Sequence, residues 1–231
     1  MTKILQHQQT VQLQLIIPAL NEEAGIGLTI SEMQQFLVNL PILVIDGQST
    51  DRTIEIAKSL GAKIARQNGK GKGDALAKAF ECMAPQVKYA ILTDADYTYP
   101  AEYVPQMIQV LEEKPEVGMV CGNRFSGNVD PKALRKVFSF GNRLIAWSHR
   151  NLNGVQLKDP LTGLRVIRAE ILRNWQIKSK GFDIEVELNR HVEKHGFDIK
   201  EIDIHYRQRL GEKKLKVRDG VTILKRIILE A

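Results

Sequence analysis

Three short stretches of this chain place acidic side chains where they could act on a ligand: Asn21-Glu22-Glu23, Asp46 with Asp51, and Asp94-Ala95-Asp96. Each follows an apolar run, at residues 11–17, 42–45 and 89–93. The alternate spacing of Asp94 and Asp96 lets one or both carboxylates reach a common cation. A hard divalent ion such as Mg2+ or Mn2+ takes oxygen ligands of this kind and keeps positions for substrate phosphates. On its own an Asp-x-Asp string reads first as a solvated turn; its place at the end of an apolar strand favours the metal reading. A fourth stretch, Asn68-Gly69-Lys70-Gly71-Lys72-Gly73-Asp74, is a basic glycine-rich loop ahead of a helix. It lacks the G-x-x-x-x-G-K-[ST] spacing, which excludes a P-loop ATPase. A loop at a helix N-terminus that suits an anion, or a solubilising turn, is what remains.

Elements must hold these loops in place. The apolar runs at 11–17 (stopped by Pro18), 42–45, 62–66 and 89–93 read as strands, and residues 22–37, 50–60 and 73–83 read as helices between them. Ser49 or Thr50 is the expected cap of the second helix and Gly61 its stop. This alternation predicts an α/β fold, a Rossmann-like, mostly parallel sheet flanked by helices, in which ligands bind beyond the carboxyl ends of the strands. Further along, helices are expected at 101–113, 131–152 and 182–195, and strands at 117–121, 164–167 and 199–206. No repeat or low-complexity linker divides the 231 residues, so one domain is expected over 1–231.

The net charge of +6 is unevenly distributed. Residues 124–158 carry seven basic side chains against Asp130 alone, and residues 205–226 carry eight against Glu212 and Asp219. Each segment is either a solvated cationic surface or a phosphate-binding one. Nucleic acid is a poor partner: aromatics are 6% of the chain and unclustered, and the acidic loops would repel phosphate. Cys82 and Cys121 lack metal-ligand spacing and are expected to be reduced and structural. No run of about 18 apolar residues is present to span a bilayer, and the first ten residues lack the apolar core of a secretory signal, so a cytoplasmic location is expected. Residues 221–231 place Val221, Ile223, Leu224, Ile227 and Ile228 at helical spacing beside Lys225 and Arg226. That amphipathic helix either lies on a membrane or packs on its own domain. His149, His191, His195 and His205 read as helix-face or surface residues; Glu185 and Glu187 either flank the site or are acids favoured at a helix start by the dipole alone, and the second reading is preferred.

Taken together, Ile16-Ile17-Pro18-Ala19-Leu20-Asn21-Glu22-Glu23, Val44-Ile45-Asp46-Gly47-Gln48-Ser49-Thr50-Asp51 and Asp94-Ala95-Asp96 resemble the inverting, GT-A-fold glycosyltransferases of family 2. These transfer a sugar from a nucleotide diphosphate donor. Gly69-Lys70-Gly71-Lys72-Gly73 is similar to the family's K-G-K-G element. Gly122-Asn123-Arg124-Phe125, Asp159-Pro160-Leu161-Thr162-Gly163 and Gly211-Glu212-Lys213-Lys214-Leu215 resemble elements of the branch containing dolichol-phosphate mannose synthases and archaeal dolichol-phosphate hexosyltransferases. The motifs run in the family's order over roughly residues 13–220.

The resemblance implies roles position by position. Pro18, Leu20, Asn21 and Glu22, with Asp46, would frame the donor's base and ribose, and Lys72 would lie near that nucleotide. Asp94, Ala95 and Asp96 would line the diphosphate, with Asp94 and Asp96 holding Mg2+ or Mn2+. Arg124, Arg135, Asp159 and Lys214 would stand at the acceptor phosphate, and Arg209, in a basic active-site loop opening the segment 205–231, would reach a donor or acceptor phosphate. The implied reaction moves a hexose from a GDP- or UDP-sugar to dolichyl or another polyprenyl phosphate at the cytoplasmic face of a membrane, with a membrane-anchoring partner possible. A soluble family member using a small anionic acceptor such as phosphoglycerate is the alternative. Gly47 replaces the usual second aspartate, Thr98 replaces a glutamine, and the spacing from Arg209 to Gly211 is one residue short of that in the mannose enzymes.

Overall fold

The computed structural model describes residues 12–125, 136–212, 214 and 217–230. Among these, strands β1 (Leu13–Ala19), β2 (Ile42–Asp46), β3 (Lys63–Arg66), β4 (Tyr89–Leu92), β5 (Val117–Asn123), β6 (Arg165–Arg168) and β7 (Asp198–Asp203) form one sheet in the order β3-β2-β1-β4-β6-β5-β7. The helices are α1 (Ile26–Phe36), α2 (Thr53–Ser59), α3 (Lys72–Glu81), α4 (Val104–Glu113, entered through a 3-10 turn at Ala101–Tyr103), α5 (Lys136–Asn153), α6 (Ala169–Leu172), α7 (Ile184–Lys194) and α8 (Val217–Glu230). The expected α/β architecture is present. Strands β1 to β4 are mutually parallel, β5 and β7 are parallel, and β6 runs against both β4 and β5.

The apolar runs are continuous rather than alternating because both faces of the sheet are covered. Leu15, Ile17, Val44 and Ile91 point into one core with Ile26, Ile30 and Met33 of α1 and Met107 and Leu111 of α4. Their neighbours Ile16, Leu43, Ile45 and Leu92 point into the other, with Leu76 of α3 and Ile184, Leu188 and Val192 of α7. A third cluster joins Ile145 of α5 and Val186 of α7 to Ile223 and Ile227 of α8. The terminal helix therefore packs on its own chain along one stripe.

Two local expectations are corrected. Pro18 does not stop β1, which continues to Ala19 with Pro18 opposite Ile45. In the parallel ladder Ile16 faces β4 and Ala19 faces β2, through the bonds from Thr93 N to Ile16 O and from Gly47 N to Ala19 O. The missing N–H of Pro18 thus points past the end of β4, where no ladder bond is lost. Helix α2 starts at Thr53 instead of Thr50, and neither Ser49 nor Thr50 caps it; Asp51 Oδ1 accepts Thr53 N at 3.0 Å. Ser49 and Thr50 bond to Asn21 instead.

Strand directions decide where the site is. Because β6 is antiparallel to β4 and β5, those two run the same way. The loops after β1, β2, β4, β5 and β7, and the turn entering β6, therefore open on one edge of the sheet.

Candidate active site

The loop after β4 is shaped by close backbone packing. A Cβ on Gly25 would lie 2.6 Å from Ala95 O, so only glycine lets α1 approach the loop this closely. Thr29 Oγ1 accepts Tyr97 N at 3.1 Å, while Ala95 itself is buried. Asp96 is also nearly buried, and its Oδ1 accepts Thr98 N at 3.2 Å and Thr98 Oγ1 at 2.6 Å. Thr98, in the place of the usual glutamine, thus fixes the Asp96 carboxylate. The Asp94 side chain is more open, 32% exposed against 6% for Asp96. It lies against Gly163, where a Cβ would sit 2.4 Å from Asp94 Oδ2.

Two cations contact the pair. Lys72 Nζ sits 2.7 Å from Asp94 Oδ1 and 2.7 Å from Glu185 Oε1. Arg209 bonds to Asp96 Oδ2 at 2.9 Å and to Glu22 Oε1. The strap that carries Arg209 is tied down by Arg207 N to Thr98 O and Leu210 N to Asp96 O, each at 3.1 Å. Lys214 Nζ donates to Asn21 O at 3.2 Å. Burial raises the Asp94 acid, but Lys72, through charge and hydrogen bond, with Arg124 and Arg209, outweighs it and leaves that carboxyl below its ordinary value. Burial and the neighbouring Asp94 charge push Asp96 upward. Burial likewise lifts Glu22 to about 7 against the pull of Arg209.

These donors fit a divalent cation of the open kind. Two carboxylates on alternate residues supply oxygens and repel each other until a cation lies between them. No cluster of three or more His, Cys, Asp or Glu forms a closed metal cage among the described residues. Mg2+ in particular is commonly bound by one or two carboxylates plus substrate phosphates.

Arg124, expected at the acceptor phosphate, follows the end of β5. Its Nε and Nη2 fork the two oxygens of Asp159 at 2.6 and 2.7 Å, and its backbone N donates to the same carboxylate at 3.1 Å. The Tyr206 ring lies 5.3 Å below the guanidinium. Asp159, expected at the acceptor phosphate, pairs with Arg124. It is fully buried with both oxygens engaged, and its backbone N is held by Glu201 Oε1 at 2.8 Å. Lys214, also expected there, reaches the loop after β1 instead. Arg135 lies outside the described residues.

Of the residues expected at the donor, Pro18 is half-buried and Leu20 is 43% exposed. Asn21 joins two loops by donating its N–H to Ser49 Oγ at 3.0 Å and accepting Thr50 N at 2.8 Å. Asp46, expected to contact base or ribose, is fully buried, and its oxygens accept Gln48 N and Ser49 N at 3.1 and 3.0 Å. It therefore shapes the loop after β2. Gly47 fits because a Cβ there would already lie 3.2 Å from Leu20 Cβ.

Sequence reasoning left out Tyr99 and Tyr206, and set Glu185 aside as an acid of a helix start. Glu185 is the second anchor of Lys72. Tyr99 Oη accepts Gly163 N at 2.6 Å, holding the turn that faces Asp94. Nothing local marks Glu185; the N-terminus of α7 reaches Lys72 because Gly71 and Gly73 pack directly on the backbone at Lys180 and Ser179.

Comparison with known proteins decides the family. The sequence profile described as glycosyl transferase family 2 matches residues 14–175. The chain belongs to glycosyltransferase family 2. It is 30% identical to a dolichyl-phosphate hexose transferase of Haloferax volcanii over 88% of this chain and 86% of that one. It is 28% identical to the dolichol-phosphate mannosyltransferase of Pyrococcus furiosus over 77% of this chain and 52% of that one. The chain thus spans about half the length of the second relative. Glucosyl-3-phosphoglycerate synthase of Mycobacterium tuberculosis, solved with uridine diphosphate, superposes with a TM-score of 0.76 at 20% identity, covering 96% of this chain and 80% of that one. This likeness is one of fold, the GT-A arrangement of the family-2 enzymes.

Proposed function

We propose that this family-2 enzyme transfers a hexose from a nucleotide diphosphate sugar to dolichyl or another polyprenyl phosphate, with a divalent cation at Asp94 and Asp96. The observation that carries the reading is the placement, on one edge of the sheet, of an acidic pair ringed by Lys72 and Arg209 beside an arginine clamped by Asp159. The names of the relatives from Haloferax volcanii and Pyrococcus furiosus support the lipid phosphate as acceptor.

A polyprenyl phosphate is already an anion at neutral pH, so its oxygen needs no strong base to attack the anomeric carbon. The task of the protein is alignment and charge management. Two phosphate-bearing substrates must meet, and their repulsion falls only if fixed cations stand between them. Arg124 presents a guanidinium suited to phosphate, oriented by Asp159 through Nε and Nη2 and supported by the Tyr206 face. Arg209 now neutralises Glu22 and Asp96; a donor diphosphate offers it a stronger anion in the same place. Lys72 keeps the Asp94 carboxylate ionised and oriented. When bound, the divalent cation stabilises charge developing on the departing nucleoside diphosphate.

The test is incubation with Mg2+ or Mn2+, GDP- or UDP-hexoses and a polyprenyl phosphate. The expected result is an organic-extractable labelled product, lost in Asp96→Ala. Transfer only to phosphoglycerate, giving a water-soluble product, would overturn the lipid assignment.

A further inference from the structure

The paired helices α5 and α8 bury one face each in the cluster of Ile145, Val186, Ile223 and Ile227 and leave the opposite faces uncovered. On α5, Leu144 and Trp147 are 43% and 64% exposed, and on α8, Val221, Ile228 and Leu229 are 71%, 66% and 66% exposed. Large apolar side chains concentrated in this way mark an interaction surface. The exposed charges of the two outer faces are basic, while the acids of α8, Asp219 and Glu230, are half-buried and Glu230 is paired with Lys194. Helix α5 contains no acidic residue, and its exposed Arg143 and Arg150, seven apart, lie on the stripe that carries Trp147. Exposed Lys225 stands between Val221 and Ile228 on the outer face of α8. Among the described residues Arg143, Arg150 and Lys225 have no carboxylate partner, whereas other cations of α7 and α8 do: Arg190 with Glu193, Lys194 with Glu230, and Arg226 with Asp183.

We infer that the outer face of α5 and α8 docks on an anionic phospholipid surface, with Trp147, Ile228 and Leu229 in the interface and Arg143, Arg150 and Lys225 against the headgroups. An amphipathic face with an aromatic residue and unpaired cations has the chemistry of an interfacial anchor. No helix among the described residues is long and apolar enough to cross a membrane, so this contact lies in the plane of the surface. The face adjoins the acceptor side. Asn142 Nδ2, one residue before Arg143, donates to Lys158 O at 3.1 Å, and the next residue, Asp159, clamps Arg124. A phosphate at headgroup depth would therefore lie near Arg124. The inference rests on the lipid-acceptor reading for its purpose and on the helix faces for its location.

The test is co-sedimentation of the full chain with vesicles of phosphatidylcholine alone or mixed with phosphatidylglycerol. Binding is expected only to the mixed vesicles, weakening by about tenfold or more in Trp147→Ser/Ile228→Ser and in Arg143→Ala/Arg150→Ala/Lys225→Ala. In a Trp175→Phe background, Trp147 emission should shift to the blue on the mixed vesicles. Transfer to a polyprenyl phosphate dispersed in detergent should be unchanged in all these variants, which separates docking from chemistry. Normal transfer in detergent without vesicle binding overturns the docking face and leaves the reaction standing. Binding unaffected by the substitutions places the contact elsewhere and overturns it too. A dimer in sedimentation velocity that Trp147→Ser dissociates would assign the face to a second copy of the chain and overturn the lipid contact.

Discussion

At the scale of single residues, the site is a set of charges held by other charges, and the holders should be nearly as sensitive as the groups they hold. Arg124→Ala is expected to raise the acceptor KM by about tenfold or more with little change in donor KM, because under the proposed function it removes the guanidinium that meets the incoming phosphate. Asp159→Asn should shift acceptor KM in the same direction and cost stability of about 3 kcal/mol, since it leaves a buried guanidinium half-compensated. The double variant should then be far less than additive in the steady-state kinetics; full additivity would mean that Asp159 acts separately from Arg124. Glu185→Gln is expected to raise donor KM several-fold and leave acceptor KM alone, as Lys72 loses one of its two anions; equal rises in both would refute a donor-side role. The acid pair and the arginines were legible from their place after apolar strands and from the family motifs. Glu185 was not, because its partner Lys72 lies on α3, far away in the chain, and an acid in the first turn of a helix is explained equally well by the helix dipole. Asp46 and Asp159 were legible as important acids, but their intramolecular partners, the backbone after β2 and the Arg124 guanidinium, were not, since sequence does not tell which groups of its own chain a carboxylate holds.

At the scale of elements, close packing between loops sets the geometry, and glycines mark the contacts. Gly163→Ala tests this directly. Its Cβ would lie 2.4 Å from Asp94 Oδ2, so the turn before β6 or the carboxylate must move. The expected outcome is a marked loss of kcat and of Mn2+ affinity by calorimetry, with the Tm shifted by only a few degrees. A variant with wild-type metal binding would show that Asp94 does not hold the cation in this orientation. Gly73→Ala should behave differently. A Cβ there would lie 2.1 Å from Ser179 O, separating α3 from the segment before α7 and lowering the Tm as well as activity. Strand and helix positions were readable because both sheet faces are buried and the helices alternate with the strands. The continuation of β1 through Pro18 was not, because the cost of a proline depends on which neighbour its nitrogen faces, and that is fixed by register. The reversal of β6 was hidden for a related reason: four residues carry no signal of direction.

At the scale of the whole molecule, the cationic excess is divided between a substrate edge and a helix face, while the α5–α8 side is held to the sheet by a largely apolar cluster with one buried imidazole. His149 of α5 is fully buried, which corrects its reading as a surface or helix-face residue. Its Nδ1 pairs with Asn153 Oδ1 at 2.8 Å, and Asn153 Nδ2 donates to Ile227 O of α8 at 3.1 Å. Burial lowers the His149 pKa from 6.5 to about 4 despite the Asn153 bond, with Arg165 and Arg190 adding repulsion. A histidine depressed in the folded state takes up its proton first in the unfolded chain. Stability from this group is therefore fully present above pH 6.5, falls as the pH drops towards 4, and at lower pH is smaller by roughly 3 kcal/mol. Urea unfolding between pH 7 and 4 should show that loss, and His149→Gln, which cannot charge, should flatten part of it. If the variant and the wild type lose stability in parallel, the acid sensitivity arises elsewhere. Because His149 ties α5 to α8 through Asn153, loosening at low pH should weaken the lipid-facing helix pair before the sheet and its acidic loops. Vesicle binding should then decline at a milder pH than the far-ultraviolet dichroism of the sheet, while Trp147→Ser should leave the unfolding midpoint unchanged.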